Sequence, residues 1–432
     1  MNYSETLEFL FSQLPAYHRI GKAAYKNNLD NTLRFDEHLG NPHKKFKSIH
    51  VAGTNGKGSV SHMTASILQE AGYKTGLYTS PHLRDFRERI LINGCMIPRD
   101  EVVDFVSRNM DLISEIQPSF FEMTVALAFD YFAREKVDVA VIEVGLGGRL
   151  DSTNIITPVI SVITNIGHDH MDLLGDTFEK IAAEKAGIIK EGVPAVVGET
   201  QPETKEVFLA RADNMHSVVS FADREFACSL SEESYLTGER KYIITDLKNK
   251  TKSEGITVLG GDYQIRNIAT VFETFKSLQG VFEFSEKNIT DGIRNVIKNT
   301  GFSGRWQILS QKPLMICDTG HNREGLEYVV KQLGRISSAK LHIVIGFVSD
   351  KDISTVLPLF PERADYYFTR ASVTRALDEN ILLQKAATHG LKGNSYPTVK
   401  AAVDDALKNA SDEDTIFIGG STFVVADYLQ FI

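Results

Sequence analysis

The sequence predicts an α/β protein with two domains, the first larger than the second. Continuous apolar runs alternate with helical stretches along most of the chain, which is typical of a parallel sheet covered on both faces. A glycine-rich segment, residues 50–59, lies between an apolar strand and a helix, where a phosphate-binding loop is expected. We therefore predict an N-terminal P-loop ATP-binding domain over residues 1–301, with a mostly parallel sheet and a small antiparallel excursion. A smaller Rossmann-like domain is predicted over residues 302–432.

Composition and charge argue against several classes of function. The net charge is −9 and the pI is about 5.8, so neither nucleic acid nor an anionic membrane surface would attract the chain. Its three cysteines, Cys95, Cys228 and Cys317, are far apart and give neither a disulfide framework nor a zinc-binding spacing. No basic leader and no apolar run of membrane-spanning length is present. We expect a cytoplasmic monomer that binds small molecules.

The elements of the first domain follow from hydrophobic periodicity. Residues 47–53 are predicted to form a buried strand, and residues 59–71 an amphipathic helix that ends at Gly72. Residues 215–260 are polar, strand-like and rich in turns, which indicates the antiparallel excursion. The other predicted elements are strands at 75–79, 137–144, 159–164 and 195–198, and helices at 121–134 and 264–278.

A second α/β alternation begins near Arg305, after the turn-rich segment 299–304 that we take as the domain junction. Its predicted strands are 314–317, 341–345, 366–369 and 415–418, and its predicted helices are 324–333, 353–360, 380–389 and 399–409.

The glycine-rich loop has the residues that a nucleotide phosphate requires. Small residues allow backbone N–H groups to converge on anionic oxygens, Lys57 supplies a positive charge, and the Ser59 hydroxyl is suited to Mg²⁺. The spacing departs from the usual P-loop, because two residues separate Gly53 from Gly56 and Gly58 precedes the serine. A plain turn would explain one or two glycines, but not Gly-Lys-Gly-Ser at the start of a helix. The predicted phosphate-binding residues are Asn55, Gly56, Lys57, Gly58 and Ser59.

Polar residues also follow the other predicted strands of the first sheet. Ligands bind beyond the carboxyl ends of parallel strands, so Ser80, Glu143 and His170 are expected at one edge, beside the loop. Glu143 is suited to hold Mg²⁺, with Ser80 and His170 completing metal positions. Each residue alone would be interpreted as an ordinary core or loop residue; their common placement favours a shared Mg²⁺–nucleotide site.

Two other interpretations of these motifs are weaker. The segment 145–150 follows a strand and has several glycines, but Leu150 stands where a dinucleotide fingerprint requires Gly or Ala. Asp169, His170 and Asp172 suggest a hydrolytic metal site, but no further metal cluster accompanies them.

Together these motifs resemble the folylpolyglutamate synthase/dihydrofolate synthase branch of the Mur ligase superfamily, and the resemblance covers nearly the whole chain. The segments that carry it are 52–59, 79–83, 121–122, 143–154, 169–170, 173–175, 184–189, 318–322, 350–352 and 420–421.

The resemblance implies an ATP- and Mg²⁺-dependent amide ligase of folate biosynthesis, with two magnesium sites. ATP would phosphorylate a pterin carboxylate, and the amino group of L-glutamate would attack the acyl phosphate, on dihydropteroate and on reduced folates. Lys57, Glu143, His170 and Lys185 would be catalytic, and Lys185 would carry a carbamate that helps to bind metal. The metal ligands would be Ser59, Ser80, Glu143, His170 and Lys185, and Asn267, Arg305, Asp318 and His321 would join the loop at ATP.

The residues that the resemblance implies for the substrate site are spread over several segments of the sequence. The implied pterin-site residues are Ser80, His82, Phe121, Glu122, Arg149 and Asp151, with help from residues 17–31. Phe121 would pack on the pterin ring, and Asp151 would accept hydrogen bonds from its amino-pyrimidine edge. Alternatively, Asp151 only caps the turn that follows it.

Three alternatives to the bifunctional enzyme remain at the level of sequence. The first is an enzyme that only extends folates, although the segment 148–151 resembles that of bifunctional members. A Mur-type ligase for cell-wall precursors is disfavoured by segments 80–83 and 147–154. A nucleotide-dependent switch would keep the phosphate loop, but would have no reason to carry His170, Lys185 and a second α/β domain.

Overall fold

The computed structural model describes residues 1–15, 28–230, 238–349 and 351–432. Two α/β units follow one another along the chain. In the described part, the first is built on an eight-stranded sheet with a three-stranded antiparallel sheet beside it, and the second on a six-stranded sheet. The predicted fold class is confirmed.

The strands of the eight-stranded sheet lie in the order β4-β3-β2-β5-β1-β6-β7-β8, parallel except for the β2–β3 and β3–β4 pairs. They are β1 (Lys47–Ala52), β2 (Thr75–Tyr78), β3 (Ile90–Ile92), β4 (Cys95–Met96), β5 (Val139–Glu143), β6 (Ile160–Ile163), β7 (Ala195–Val197) and β8 (Val219–Phe221). β1 lies between β5 and β6, so its carboxyl end opens into the crevice where ligands of such sheets bind.

Helices cover both faces of this sheet. In the described residues they are α1 (Tyr3–Ser12), α2 (Asp30–His38), α3 (Lys57–Glu70), α4 (Arg99–Arg108), α5 (Met110–Ile116), α6 (Phe120–Arg134), α7 (Met171–Leu174), α8 (Phe178–Ala186), α9 (Pro202–Asn214), α10 (Ala222–Glu225), α11 (Gln264–Ser277), α12 (Glu286–Arg294) and α13 (Val296–Thr300). Short 3₁₀ turns occur at Pro42–Lys44, Phe86–Arg89 and Ser152–Ile155.

Helix α3, which follows the phosphate loop, is buried on all sides from Ser59 to Leu68. A one-sided amphipathic helix was predicted here; instead, α11, α12 and α13 cover the face that the sheet leaves open. Close approach requires a glycine in α12, because a Cβ at Gly292 would lie 2.5 Å from Ile67 Cα. The Gly292 carbonyl also accepts a hydrogen bond from Ser66 Oγ at 2.7 Å. The phosphate loop therefore rests on a helix held within the core.

The predicted excursion is the antiparallel sheet of β9 (Phe226–Leu230), β10 (Arg240–Asp246) and β11 (Lys252–Thr257). One part of the predicted segment differs: β8 pairs in parallel with β7 and belongs to the large sheet. This edge strand has only three residues, all partly exposed, and it lies in a segment that is polar overall, so no continuous apolar run marks it in the sequence.

The second sheet has the order β12-β13-β17-β14-β15-β16 and is parallel except for β12. Its strands are β12 (Gln307–Gln311), β13 (Leu314–Cys317), β14 (Leu341–Ile345), β15 (Asp365–Thr369), β16 (Gly393–Tyr396) and β17 (Thr415–Gly419). The helices are α14 (Arg323–Leu333), α15 (Glu379–Ala387), α16 (Val399–Asn409) and α17 (Thr422–Leu429). β13, β17 and β14 are adjacent, so the loops that follow them open at the same edge.

One predicted helix is wrong. Residues 353–360 contain turns and a short 3₁₀ helix, Leu357–Leu359, rather than an α-helix. Pro358 lacks the N–H that a helix interior needs, and its ring would clash with the preceding turn. The apolar spacing instead reflects packing of Ile353, Val356 and Leu357 into the core of the second unit.

We expect Gly292→Ala to destabilise the protein, because the new methyl group would press on the backbone of α3. Overpacking of this kind costs roughly 1–3 kcal/mol, so the melting temperature of the purified variant should fall by several degrees. Gly334→Ala is the matched control, since Gly334 has φ −63° and its nearest neighbours to an added Cβ lie at 3.6 Å. Equal melting temperatures for the two variants would contradict the packing argument.

Candidate active site

The phosphate loop has a backbone that only glycine fits at two positions. Gly53 has φ +146°, and a Cβ there would lie 1.9 Å from Thr164 Oγ1. Gly56 has φ +85° and begins α3, and a Cβ there would lie 2.3 Å from Asn267 Oδ1. Asn267 therefore lies directly beside the loop, as the resemblance implied for a nucleotide contact. The loop is anchored to the β6 end, where Asn165 Oδ1 accepts the Asn55 N–H at 2.9 Å.

Two lysines converge on a single carbonyl oxygen of this loop. Lys57 Nζ donates to the Gly53 carbonyl at 3.1 Å, and Lys185 Nζ, from α8, donates to the same oxygen at 2.9 Å. Lys185 is 4% exposed, and its burial, reinforced by the charge of Lys57, lowers its pKa to about 7. A large fraction of this amine is therefore neutral and nucleophilic near neutral pH.

The predicted metal ligands provide oxygen and imidazole donors, and two of them, Ser80 and Glu143, are in direct contact. Glu143 is 4% exposed at the end of β5 and accepts the Ser80 N–H at 3.0 Å. Burial raises its pKa, but the charges of Lys57, Arg305 and Arg89 act in the opposite direction. Burial lowers the pKa of His170 to about 3, which keeps the imidazole neutral, as a metal ligand must be. These donors fit Mg²⁺, which prefers oxygen ligands and keeps water or phosphate oxygens in its remaining positions.

In the described part of the chain, no group of three or more His, Cys, Asp and Glu side chains has the arrangement of a metal site by itself. The hydroxyl of Ser59, the predicted metal ligand in the phosphate loop, is buried and accepts from Gln264 Nε2 at 3.2 Å.

The predicted ATP contacts from the second unit reach the loop. The Arg305 guanidinium lies 3.9 Å from the position of a Cβ at Gly58. Asp318, at the end of β13, is 2% exposed and accepts from Tyr263 Oη at 2.6 Å and from two backbone N–H groups. Its carboxylate is thus held rigidly, and burial raises its pKa.

Polar contacts join the two units at the loop. Asn55 and Asn322 exchange side-chain amide hydrogen bonds of 3.2 and 3.0 Å. Asp169, which precedes His170, accepts from His321 Nε2 at 3.1 Å and forms an ion pair with Lys351. The pKa of Asp169 is well below its usual range: burial opposes the shift, and the His321 hydrogen bond and neighbouring cationic groups more than offset it. Asp350, in the same motif as Lys351, lies outside the described residues.

A cavity of about 260 Å³ opens between the two units beside these residues. Its walls combine apolar and charged groups, which suits a flat heteroaromatic ligand with an anionic end. The lining residues are Pro15, Asn28, Ser80, Pro81, Arg89, Ser119, Phe120, Phe121, Glu122, Gly145, Leu146, Leu150, Asp151, Ser152, His170, His321, Val348, Lys351, Arg375, Ser421, Thr422 and Phe423. Of the predicted pterin segment, residues 17–27 lie outside the described residues.

Asp151 both lines this cavity and caps a turn. Its Oδ1 accepts the Thr153 N–H at 3.0 Å, which makes it the N-cap of the 3₁₀ turn Ser152–Ile155. Its Oδ2 accepts the Leu146 N–H at 2.8 Å. Asp151 therefore caps the turn. Because it also lines the cavity, its pterin role stays a prediction. Phe121 lies across Gly145 on the same wall, and Glu122 closes a capping box with Ser119.

Two predicted substrate residues do not line the cavity. Arg149 forms an ion pair with Glu184 at 2.8 Å, and its side chain is 56% exposed. His82 accepts from Arg89 Nε at 2.8 Å, behind the cavity wall.

Arg89 is a cavity residue that sequence reasoning missed. It is 5% exposed, its guanidinium lies 5.2 Å from the centre of the Phe120 ring, and within the described residues no carboxylate forms an ion pair with it. A buried cation without an ionic partner is costly unless a ligand supplies the charge. The sequence offered a weak signal, since Arg89 lies just before β3 in a segment rich in charge.

Comparison with known proteins identifies the family. The model of the Mur ligase middle domain matches residues 51–274, and that of the Mur ligase glutamate ligase domain matches residues 304–422. The chain belongs to the Mur ligase family. This Mur ligase is therefore an ATP-dependent carbon–nitrogen ligase, as its phosphate loop and resemblance predicted.

Its relatives place this Mur ligase in the predicted branch. The dihydrofolate synthase/folylpolyglutamate synthase of Bacillus subtilis is 35% identical over 375 residues, which cover 82% of this chain and 85% of that protein. A probable bifunctional folylpolyglutamate synthase/dihydropteroate synthase of Haloferax volcanii is 32% identical over 99% of the chain. The chain spans only 50% of that second protein.

Solved structures agree. E. coli FolC in complex with DHPP and ADP matches with a TM-score of 0.86 and 29% identity, over 100% of this chain and 97% of that one. A bifunctional folylpolyglutamate synthase/dihydrofolate synthase with Mn, AMPPNP and L-glutamate bound matches with a TM-score of 0.84 and 27% identity, over 99% of this chain and 97% of that one.

In the described part of this Mur ligase, no helix is long and apolar enough to cross a membrane.

We expect Lys57→Ala to abolish ligation while the protein stays folded. Losing a charge-assisted contact costs roughly 1.5–3 kcal/mol in binding, and more where charge develops in the transition state. Phosphate release at saturating ATP measures the loss, and Lys44→Ala, remote from the loop in sequence, serves as the control. Near-normal turnover of Lys57→Ala would contradict the assignment.

Proposed function

We propose that this ligase adds L-glutamate both to dihydropteroate and to reduced folates, through an acyl phosphate formed with ATP. The observation that carries the proposal is the cavity between the units. It has an aromatic wall at Phe121, a buried carboxylate at Asp151, and two of the predicted metal ligands, Ser80 and His170, in its lining. A pterin presents adjacent N–H donors that match the paired acceptors of a carboxylate.

The first step forms the acyl phosphate. A carboxylate oxygen of the pterin substrate attacks the γ-phosphorus of ATP, and the bond to the β-phosphate oxygen breaks to release ADP. Lys57, Arg305 and the loop N–H groups offset the charge on the transferring phosphoryl group. Asn267 and Asp318 would hold the nucleotide, and His321 lies beside them. When bound, magnesium would neutralise phosphate charge, held by Ser59, Ser80, Glu143 and His170, with two sites proposed.

The second step forms the amide. The glutamate amino group attacks the acyl carbon, and inorganic phosphate leaves. The wall of the second unit supplies cations for the two glutamate carboxylates, at Lys351 and Arg375. Asp169 holds Lys351 by its ion pair, so the first unit positions part of the proposed amino-acid site. Closure between the units would exclude water, which otherwise hydrolyses the acyl phosphate.

The function is tested by incubating the purified protein with ATP and glutamate, plus either dihydropteroate or tetrahydrofolate. We expect phosphate release with both pterins, and products heavier by one glutamate residue in mass spectrometry. Activity with tetrahydrofolate alone would leave only the extending activity, and activity with neither would overturn the proposal.

Two variants separate the roles of Asp151. Asn can still accept at the cap through its Oδ1, although its amide nitrogen cannot accept from the Leu146 N–H, so Asp151→Asn should lose less melting temperature than Asp151→Ala. It offers an amide where the pterin needs an acceptor, so kcat/KM for dihydropteroate should fall at least tenfold, as in Asp151→Ala. The loss with tetrahydrofolate should be smaller. Equal losses with the two substrates, accompanied by a matching loss of stability, would limit Asp151 to the capping role.

We also propose that Lys185 carries a carbamate in the active protein. The neutral amine of Lys185 would attack CO₂ and lose a proton, and the resulting carboxylate would face the magnesium positions. With ¹³C-labelled bicarbonate, the wild-type protein should show a carbamate carbon signal in NMR that Lys185→Ala lacks. Identical spectra would contradict the modification. In Lys185→Ala, small carboxylates such as acetate should partly restore activity.

The domain boundary at residues 301/302, the cytoplasmic location and the monomeric state remain predictions. The model of the middle domain ends at residue 274 and that of the glutamate ligase domain begins at residue 304, so the predicted boundary falls in the interval between the two matches.

A further inference from the structure

A buried hydrogen-bond chain runs from the centre of the first sheet to the wall of the cavity. His50 Nε2, on β1, lies 2.9 Å from Thr153 Oγ1, and Thr153 Oγ1 lies 2.5 Å from Asp151 Oδ1. His50 and Thr153 are fully buried, and only Asp151 reaches the cavity. Neither His50 nor Thr153 was singled out by the sequence motifs.

Only one assignment of donors and acceptors fits this series of hydrogen bonds. Asp151 accepts from the backbone N–H groups of Leu146 and Thr153, so its carboxylate acts as an acceptor. The Thr153 hydroxyl must then donate to Asp151, which leaves its oxygen to accept from His50. His50 is therefore the Nε2–H tautomer. Its Nδ1 has no hydrogen-bond partner in the described part of the chain, and burial lowers its pKa to about 3, so the ring stays neutral.

This chain decides the orientation of the Asp151 carboxylate. The terminal torsion of an aspartate is broad and poorly restrained by itself. Thr153 holds Oδ1 through its N–H and its hydroxyl, and Leu146 holds Oδ2, so both oxygens keep fixed positions at the cavity wall that Asp151 lines. Thr153 in turn is held by the His50 N–H. Without that donor, the hydroxyl is free to rotate away from Asp151.

We propose that His50 is a positioning residue, which acts through Thr153 to aim the Asp151 carboxylate at the amino-pyrimidine edge of the pterin. This inference rests on the proposed function. The competing explanation is that His50 only fills space beneath the sheet, between β5 and β6.

A pair of variants at His50 separates these explanations. Gln keeps an N–H donor at a similar reach, whereas Met has a similar volume and no donor. His50→Met should raise KM for dihydropteroate roughly tenfold, the effect of one buried hydrogen bond, with kcat and KM for ATP unchanged. His50→Gln should stay within about threefold of the wild type.

A second pair tests the middle of the chain. Thr153→Val keeps the shape but removes the hydroxyl, and should match His50→Met in its KM for dihydropteroate. Thr153→Ser restores the hydroxyl and should recover most of the affinity. In ¹⁵N NMR, wild-type His50 should show a protonated Nε2 and an unprotonated Nδ1.

Three results would overturn the role of His50. The first is an equal KM for dihydropteroate in His50→Gln and His50→Met. The second is a fall in kcat and in ATP affinity of His50→Met that parallels its loss of melting temperature. The third is an Nδ1–H tautomer of His50 in the wild type. If the wild type ligates neither dihydropteroate nor tetrahydrofolate, the proposed function fails first and the inference fails with it. Wild-type activity with equal variants rejects the inference alone.

Discussion

The carbonyl oxygen of Gly53 accepts hydrogen bonds from Lys57 and Lys185, and the active site is arranged around this shared contact. Burial leaves little water to screen repulsion between two ammonium groups on one oxygen, and both effects lower the pKa of Lys185 to about 7. The arrangement is therefore suited to an added anion, whether a phosphate or a carbamate. The backbone that carries this oxygen is fixed tightly. Gly53 has a positive φ, and Thr164 lies so close that no side chain would fit at this position.

The two sheets meet through the carboxyl ends of their strands. In the first sheet the loop follows β1, the strand between β5 and β6, and in the second sheet Asp318 follows β13. Besides contacts at the cavity, such as Asp169 with Lys351, a second polar contact joins the units at Asp262. The Asp262 N–H donates to Gln332 Oε1 of the second unit at 2.8 Å, and its carboxylate pairs with Arg240. Contacts at two separate places hold one unit against the other in the geometry that the reaction needs.

Asp151 shows that a structural and a functional role can belong to one carboxylate. Oδ1 accepts from both the N–H and the hydroxyl of Thr153, and Oδ2 accepts from the Leu146 N–H. Maintaining the turn therefore uses two acceptor positions of Oδ1 and one of Oδ2, which leaves acceptor capacity on Oδ2 for a ligand in the cavity that Asp151 lines. A capping residue is well suited to ligand recognition, because the cap already fixes the side chain. The same logic extends inward to His50, whose single donated hydrogen bond orients the hydroxyl that Asp151 accepts.

The sequence by itself determined the fold class, the phosphate loop and most elements, because each depends on local periodicity and glycine placement. β14 and α16 have the predicted bounds, whereas the predicted helix at 353–360 is wrong because Pro358 outweighs the apolar spacing. Tertiary structure alone decided that Arg149 points to Glu184, away from the cavity. It alone also brought Asp169 to Lys351, from 182 residues away. Such contacts depend on how packed units face each other, and no local pattern in the chain encodes that geometry.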